Sequence, residues 1–373
     1  MNRREFVKTT ALASAIATVD PLTLAATEPA ARTRNALEAS VVRINLRHTW
    51  TTTMSSSQYR EVLYVKLTRD GLTGIGEGAP IVRYDEDAVR GKAAVESVRD
   101  LLLSANPMHF AKIMAEVRKR FRGNYAAQSA IDIALLDWAG KKLGVPMYAL
   151  FGLDPADAPL TTFSIGIDDP ETTRRKVAEA EPYPVLKIKV GLDSDEATID
   201  AVRSVTKKPL RVDANEGWKD KEEAVRKINW LESQGVEMIE QPLPASMLEE
   251  QRWVRSRVHI PIFADEACID LAAIPKLADA YDGVNVKLDK CGGPQQAHAM
   301  ITTAKNLGMK TMLGCMISSS VSVTAAAHLS PLVDYTDLDG NLLISNDPYA
   351  GVKVVKGKLV LPTGSGLGLT PVA

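Results

Sequence analysis

Six groups of residues able to carry chemistry recur along the second half of this chain: Lys187-Ile188-Lys189, Asp213, Glu240, Asp265-Glu266, Lys287 and Asp337-Leu338-Asp339. The first five follow one another at steps of roughly 25 residues, which is what one strand, one loop and one helix occupy in an eight-unit (β/α) barrel of ~250 residues. Each of the five closes a short apolar run: Val185-Leu186, Leu210-Arg211-Val212, Met238-Ile239, Ile262-Phe263 and Val284-Asn285-Val286. Charged groups at the C-terminal ends of successive parallel strands converge on one mouth, where barrel enzymes keep their active sites. The spacing therefore describes a catalytic constellation and not a scatter of surface charge.

Asp213, Glu240 and Asp265 come from three successive strand ends with no histidine or cysteine beside them. An all-carboxylate set suits a hard divalent cation, and magnesium best, because it takes few protein ligands and leaves positions for substrate. One acidic residue at a strand end is often only a helix cap; three in register opposite two lysine sites are not. Lys187 and Lys189 are two apart on a strand, so both side chains point the same way. An inward lysine is costly unless paired, and positive neighbours, the other lysine and a metal, are expected to lower its pKa toward that of a usable base. Lys287 arrives from the opposite side of the barrel. Two lysines facing each other across a metal can take a proton from one face of a carbon and return it to the other, the chemistry of racemisation or epimerisation. Removal of a proton next to a carboxylate leaves an enolate, whose charge a bound cation stabilises by several kcal/mol. Asp337 and Asp339 repeat the two-residue spacing with reversed sign. Such a pair recruits a cation: a substrate ammonium, a second metal, or none if the pair is a solvated turn before Gly340.

The elements that must position these groups follow from hydropathy. Between Thr161 and Gly340 eight candidate strands alternate with helical stretches, beginning at 162–167 and ending at 310–316 and 332–338. The residues after Gly340 read as loop and short strand, so the last helix is expected to be missing. Upstream, 40–46 and 62–68 alternate as strands, and 87–103, 110–120 and 126–143 carry helical periodicity, an α+β unit. Gly74-Ile75-Gly76-Glu77-Gly78 lacks the lysine-serine pair and helix start of a phosphate loop and is not read as one. The fold class expected is α/β: a modified (β/α)8 barrel with about seven helices at residues 160–340, an α+β capping domain at 36–155, and a tail at 341–373 returning to that domain.

The chain of 373 residues has a formal net charge of −1 with 45% hydrophobic residues, which gives no electrostatic case for nucleic acid or a membrane surface. Cys268, Cys291 and Cys315 lack metal or disulfide spacing, and the five histidines form no metal-like cluster. The start differs from the rest. Asn2-Arg3-Arg4-Glu5-Phe6-Val7-Lys8, the apolar or small run 9–19 and Ala25-Ala26 have the make-up of a twin-arginine export signal over residues 1–26, its apolar core too short for a membrane span of ~20 residues. A periplasmic location is the expectation.

The segments KIKVG, VDANEGW, IEQP, FADEA, NVKLDKCGG and GCM, in that order, resemble the enolase superfamily, its muconate-lactonising subgroup, and within it the dipeptide epimerases of the L-Ala-D/L-Glu type. The resemblance spans nearly the whole chain after residue 35. It implies Asp213, Glu240 and Asp265 as magnesium ligands, Lys189 and Lys287 as the acid/base pair, and Lys187 on the substrate carboxylate. Asp337 and Asp339 would hold the dipeptide ammonium, and Ser164 and Cys315 would touch substrate. It further implies that capping loops at 47–59 and 81–85 cover the mouth. The activity implied is inversion of the α-carbon of a dipeptide's C-terminal residue, with murein peptides as a source for an exported enzyme. One departure stands out: the first capping loop, 49–57, lacks the basic side chain that accompanies acidic substrates, leaving Arg60 and Arg83 as substitutes. A lyase of the o-succinylbenzoate synthase kind, or a lactonising enzyme, would share the metal and lysines but has no use for paired aspartates. A non-catalytic exported peptide-binding module would have no use for the lysines. The number of subunits, and so any homo-oligomer, is left open.

Overall fold

The computed structural model describes residues 35–372; the export-signal expectation at 1–26 lies outside them. Three antiparallel strands open the described chain: β1 (Ala36–Thr51), β2 (Ser56–Arg69) and β3 (Leu72–Gly78), in the order β1-β2-β3. Alternation along β2 sends its side chains to two cores. Leu63, Val65 and Leu67 pack with Val95, Ile113, Met114 and Ile131 inside the capping domain, whereas Val62 and Tyr64 join the core shared with the barrel. The stretch 47–59, expected as a loop, is mostly a continuation of the β1–β2 hairpin, with only 52–55 between the strands.

The glycine-rich segment 74–78 is strand β3, which packs on the helix Tyr125–Leu143. Its glycines are a packing requirement. A Cβ on Gly74, Gly76 or Gly78 would overlap the carbonyl oxygens of Ala134, Ala130 and Ala126, spaced one helical turn apart. The helix in turn is buried continuously from Ala126 to Gly140, as a helix clamped between layers must be.

Eight parallel strands form the barrel: β4 (Phe163–Ile165), β5 (Leu186–Lys189), β6 (Leu210–Asp213), β7 (Val236–Glu240), β8 (Ile262–Ala264), β9 (Gly283–Lys287), β10 (Lys310–Gly314) and β11 (Tyr335–Asp337). They lie in sequence order, and a parallel bridge between Thr161 and Thr336 joins the first to the last. Helices follow the strands, opening where the sequence places caps: Asp169 accepts from the amides of Glu171 and Thr172 ahead of Pro170–Glu179. The connection from β8 to β9 keeps a single helical turn, Ile274–Leu277, and after β11 only a 3₁₀ turn, Gly340–Leu343, remains. The missing last helix is thus as expected. The tail returns to the capping domain, where Gly366 O accepts from Met147 N (2.8 Å) and Asp137 accepts from Leu367 N (2.8 Å).

Buried carboxylates fasten the two domains. Glu77 of β3 accepts from Ser319 N (2.9 Å), Ser319 Oγ (2.6 Å) and Ser322 N (3.0 Å) at the start of the helix Ser320–Ala327, and Asp289 accepts from Ala79 N (2.9 Å). No helix among the described residues is long and apolar enough to cross a membrane.

Candidate active site

A cavity of about 560 Å³ opens at the C-terminal ends of the barrel strands, between them and the capping domain. Ser164, Lys187, Lys189, Asp265, Lys287, Cys315, Asp337 and Asp339 line it, together with Trp50, Met54 and Ser57 of the hairpin and Ile81 to Tyr84 of the second capping segment. Both segments are tied to the turn after β6. Arg83 forms a two-pronged ion pair with Glu216 (2.9 and 3.2 Å), and Thr53 Oγ1 donates to Asn215 O (2.7 Å).

Asp213, Glu240 and Asp265 stand at the ends of β6, β7 and just beyond β8, all buried, each offering an oxygen within 4.8 Å of the others. The turns behind them are held in unusual backbone. Asn215, Glu216 and Gln241 adopt left-handed φ values of 41°, 60° and 38°, a strain that persists only where the surroundings enforce it. Asn215 N donates to Asp213 (2.9 Å), and Gln241 Oε1 accepts from Asp265 N (2.9 Å) and Ala267 N (3.1 Å), which aims both carboxylates. Glu240 Oε1 accepts from Asn285 Nδ2 (2.8 Å). Its Oε2 is buried and, although Lys187 Nζ lies 2.7 Å away, has no hydrogen bond of proper angle.

This donor set fits a divalent cation. Oxygen ligands at about 2.1 Å place opposite ligands about 4.2 Å apart, so the 4.8 Å envelope needs only small side-chain movement. Burial together with the charges of Asp213 and Asp265 pushes the Glu240 pKa up to about 7, and burial together with Asp265 and Asp213 pushes neighbouring Glu266 up to about 8. Three carboxylates this close repel one another unless positive charge is shared among them.

Lys187 and Lys189 point inward from β5, 2% and 7% exposed. Lys189 Nζ donates to Asp213 (2.5 Å), while Lys187 Nζ lies 3.0 Å from Asp213 and donates to Asp337 (2.7 Å). Lys287 at the end of β9 donates to Asp265 (2.7 Å). β5 and β9 are four positions apart in an eight-stranded barrel, so Lys189 and Lys287 flank the carboxylate cluster from opposite sides. The expected lowering of the lysine pKa is not what the protein scaffold imposes. Burial works to lower Lys187 and Lys287, but the field of the carboxylates outweighs it and holds both well above the ordinary value. Three carboxylates within 4 Å of Lys187 and two within 4 Å of Lys287 exceed the repulsion between ammonium groups. A divalent cation held by those carboxylates works in the opposite direction.

Asp337 and Asp339 both reach the cavity, 5% and 4% exposed. Asp337 accepts from Lys187, from Thr162 Oγ1 (2.5 Å) and from Ser164 Oγ (3.3 Å); although burial opposes ionisation, these partners hold it well below the usual carboxylate range. Asp339 accepts from Ser164 N (2.6 Å), and burial plus the charge on Asp337 push it up to about 7. Ser164 thus acts as a spacer between the two aspartates. Cys315 is half-buried with Sγ 3.4 Å from Asp337 O, and burial raises its pKa.

Two participants escaped the reading of strand ends. Asn285 lies two residues before Lys287 on the inward face of β9, a spacing that marks it in retrospect. Lys290 sits one helical turn past the strand and donates to the carboxylate and to the carbonyl of Asp265; nothing in its local pattern separates it from a surface lysine.

Lysines on both sides of a carboxylate cation site, under a capping domain on a (β/α) barrel, define a metal-assisted enzyme of proton transfer at carbon. Residues 36–152 match the model of the mandelate racemase/muconate lactonizing enzyme N-terminal domain, and residues 171–372 that of the enolase C-terminal domain-like family. The chain belongs to this family, the enolase superfamily. It is 41% identical over 333 residues to the L-Ala-D/L-Glu epimerase of Bacteroides thetaiotaomicron, covering 87% of this chain and 85% of the relative. It is 44% identical over 324 residues to the L-Ala-D/L-amino acid epimerase of Pedosphaera parvula, covering 85% and 93%. Among solved structures, the dipeptide epimerase from Enterococcus faecalis in complex with Mg and L-Leu-L-Tyr superposes with a TM-score of 0.84 at 31% identity, over 90% of this chain and 98% of that one.

Proposed function

We propose that this protein is a magnesium-dependent dipeptide epimerase, an isomerase that inverts the α-carbon of the C-terminal residue of a dipeptide. The observation that carries the reading is the joint placement in one cavity of two lysines flanking a carboxylate triad and of the paired aspartates Asp337 and Asp339. Asp213, Glu240 and Asp265 would hold the magnesium, which supplies Lewis-acid stabilisation of the charge that develops on the substrate carboxylate, worth several kcal/mol. Lys187, within reach of Asp213, Glu240 and Asp337, orients that carboxylate by charge. Asp339, with Asp337 beside it, binds the ammonium of the first residue. That grip sets the α-carbon of the second residue between Lys189 and Lys287. One lysine, neutral at that moment, takes the α-proton; the other, charged, delivers a proton to the opposite face; the reverse reaction runs with the roles exchanged, and proton exchange with solvent resets the pair for another substrate of the first configuration. Trp50, Met54 and the 81–84 segment exclude water from the reacting carbon.

The relatives are named for dipeptide substrates beginning with L-Ala, which supports the same substrate class here. Export through the twin-arginine segment at 1–26, a periplasmic setting and a supply of murein peptides complete the proposal. Proton NMR of L,L-dipeptides in deuterium oxide with magnesium tests it: loss of the C-terminal α-proton signal with appearance of the L,D diastereomer is expected, and chelation of the metal should stop both. Consumption without a diastereomer would instead indicate a lyase.

A further inference from the structure

The two capping segments meet the barrel at a single turn, and that turn also aims a ligand of the cation. Asp213 is followed by Ala214-Asn215-Glu216, with Asn215 and Glu216 in the left-handed backbone described above. Thr53 of the hairpin donates to the carbonyl of Asn215 (2.7 Å), and Arg83 of the second segment grips the carboxylate of Glu216 with two prongs. Asn215 N donates to Asp213 Oδ1 (2.9 Å), which leaves Oδ2 turned toward Lys187 and Lys189. Glu216 reaches the turn after β7 as well: its Oε1 accepts from Ala245 N (2.7 Å), and its amide donates to Gln241 O (2.9 Å), next to the ligand Glu240.

Little else holds the second segment in place. Val82–Tyr84 is a 3₁₀ turn without a buried residue, and Val82 is 86% exposed. Its backbone hydrogen bonds, Tyr84 N to Ile81 O (2.9 Å) and Asp85 N to Val82 O (3.0 Å), close within the turn, and Asp85 pairs with Arg90 of the capping domain (3.0 Å). Among the described residues, its one hydrogen-bonded tie to the barrel is Arg83 to Glu216. An element with few buried contacts opens at low free energy, so this pair governs how often that wall of the cavity is closed.

We infer that Arg83 is the latch of the 81–85 segment and that, through Glu216, closure of the segment and binding of magnesium favour each other; this rests on the magnesium site of the reading above. With the latch closed, Glu216 pins Asn215, whose amide holds Asp213 in the orientation that presents Oδ2. With it open, Glu216 and Asn215 are free to leave their strained backbone, the amide leaves Asp213, and the cation must re-aim its own ligand. By linkage, the factor by which closure strengthens magnesium binding is the factor by which magnesium strengthens closure. Arg83 is thus a positioning residue: it acts on Asp213 without touching it.

The test uses magnesium alone and needs no substrate. In metal-free wild-type protein, magnesium is expected to slow hydrogen exchange of the amides at 81–85 by roughly 10-fold, within the usual range of coupling between two sites. In R83M these amides should exchange rapidly with or without the metal, and the magnesium Kd measured by calorimetry should rise by roughly the same factor. Charge alone predicts the opposite sign, because loss of a guanidinium near a cation site strengthens cation binding. R83K, which keeps the charge but not the fork, should fall between the two, and it guards against a folding defect in R83M. Magnesium bound as tightly or more tightly by R83M, or exchange at 81–85 that magnesium leaves unchanged in the wild type, would overturn the latch and leave the epimerase reading standing. No magnesium binding by the wild-type protein would overturn both.

Discussion

Replacement of Asp339 by Asn isolates the charge that the substrate ammonium requires. Asp337 already shares its charge with Lys187 at 2.7 Å, so Asp339, whose described partner is the neutral amide of Ser164, carries the charge available to a ligand. Two unit charges about 4 Å apart interact by about 4 kcal/mol at an effective dielectric of ~20. Desolvation of the ammonium offsets part of this, leaving about 2–4 kcal/mol, the range found when one member of a buried charged pair is removed. At 1.36 kcal/mol per tenfold, kcat/KM for an L-Ala dipeptide should fall roughly 30- to 1000-fold in D339N. The asparagine Oδ1 can still accept from Ser164 N, so the backbone of β4 keeps its hold. The control is the same dipeptide with its amine acetylated. The wild-type enzyme should handle it poorly, and D339N no worse, because the interaction is already gone. Equal fold-losses on the free and acetylated dipeptides would refute the reasoning and assign Asp339 to support of Ser164; no loss on the free dipeptide would refute it outright.

The remaining predictions concern the proton path, pH and packing. K189M and K287M should each lose epimerisation by at least about 1000-fold, yet each should continue to exchange the α-proton of one diastereomer with deuterium oxide, opposite diastereomers for the two variants; exchange of the same diastereomer by both would contradict a two-sided site. Since Asp339 ionises only as pH rises through about 7, kcat/KM at saturating magnesium should fall as pH drops through that value. D339N should lack this acid limb, and an identical pH profile in the variant would remove Asp339 as its source. G76A should destabilise the protein by about 3 kcal/mol or more, because its Cβ meets helix backbone that cannot give way; urea denaturation at unchanged m-value measures it, and a change under 1 kcal/mol would show that the strand and helix separate easily.

Periodic patterns told most of what the sequence by itself determined. Five short apolar runs ending in charge, repeated at the pitch of a strand-loop-helix unit, disclosed a barrel of eight such units and placed Asp213, Glu240, Asp265, Lys187, Lys189 and Lys287 at one mouth, because in a parallel barrel all strand ends share a side. The two-residue spacing of Asp337 and Asp339 disclosed a shared face for the same reason. Tertiary structure decided what no local pattern encodes. Strand β3 was hidden because its glycines serve a helix 48 to 60 positions away in sequence, whose carbonyls leave no room for a Cβ. The sign of the lysine shifts depended on how many carboxylates reach each ammonium, a sum over side chains at the ends of β6, β7, β8 and β11. Lys290 became a partner of Asp265 only because a short helix turns it back over the strand end. Arg60 and Arg83 stood in the sequence as candidates without a place; the pairing of Arg83 with Glu216, 133 positions away, follows from where the second capping segment meets the turn after β6. Pairing is a property of distances between elements far apart in the chain, and only the assembled fold sets those distances.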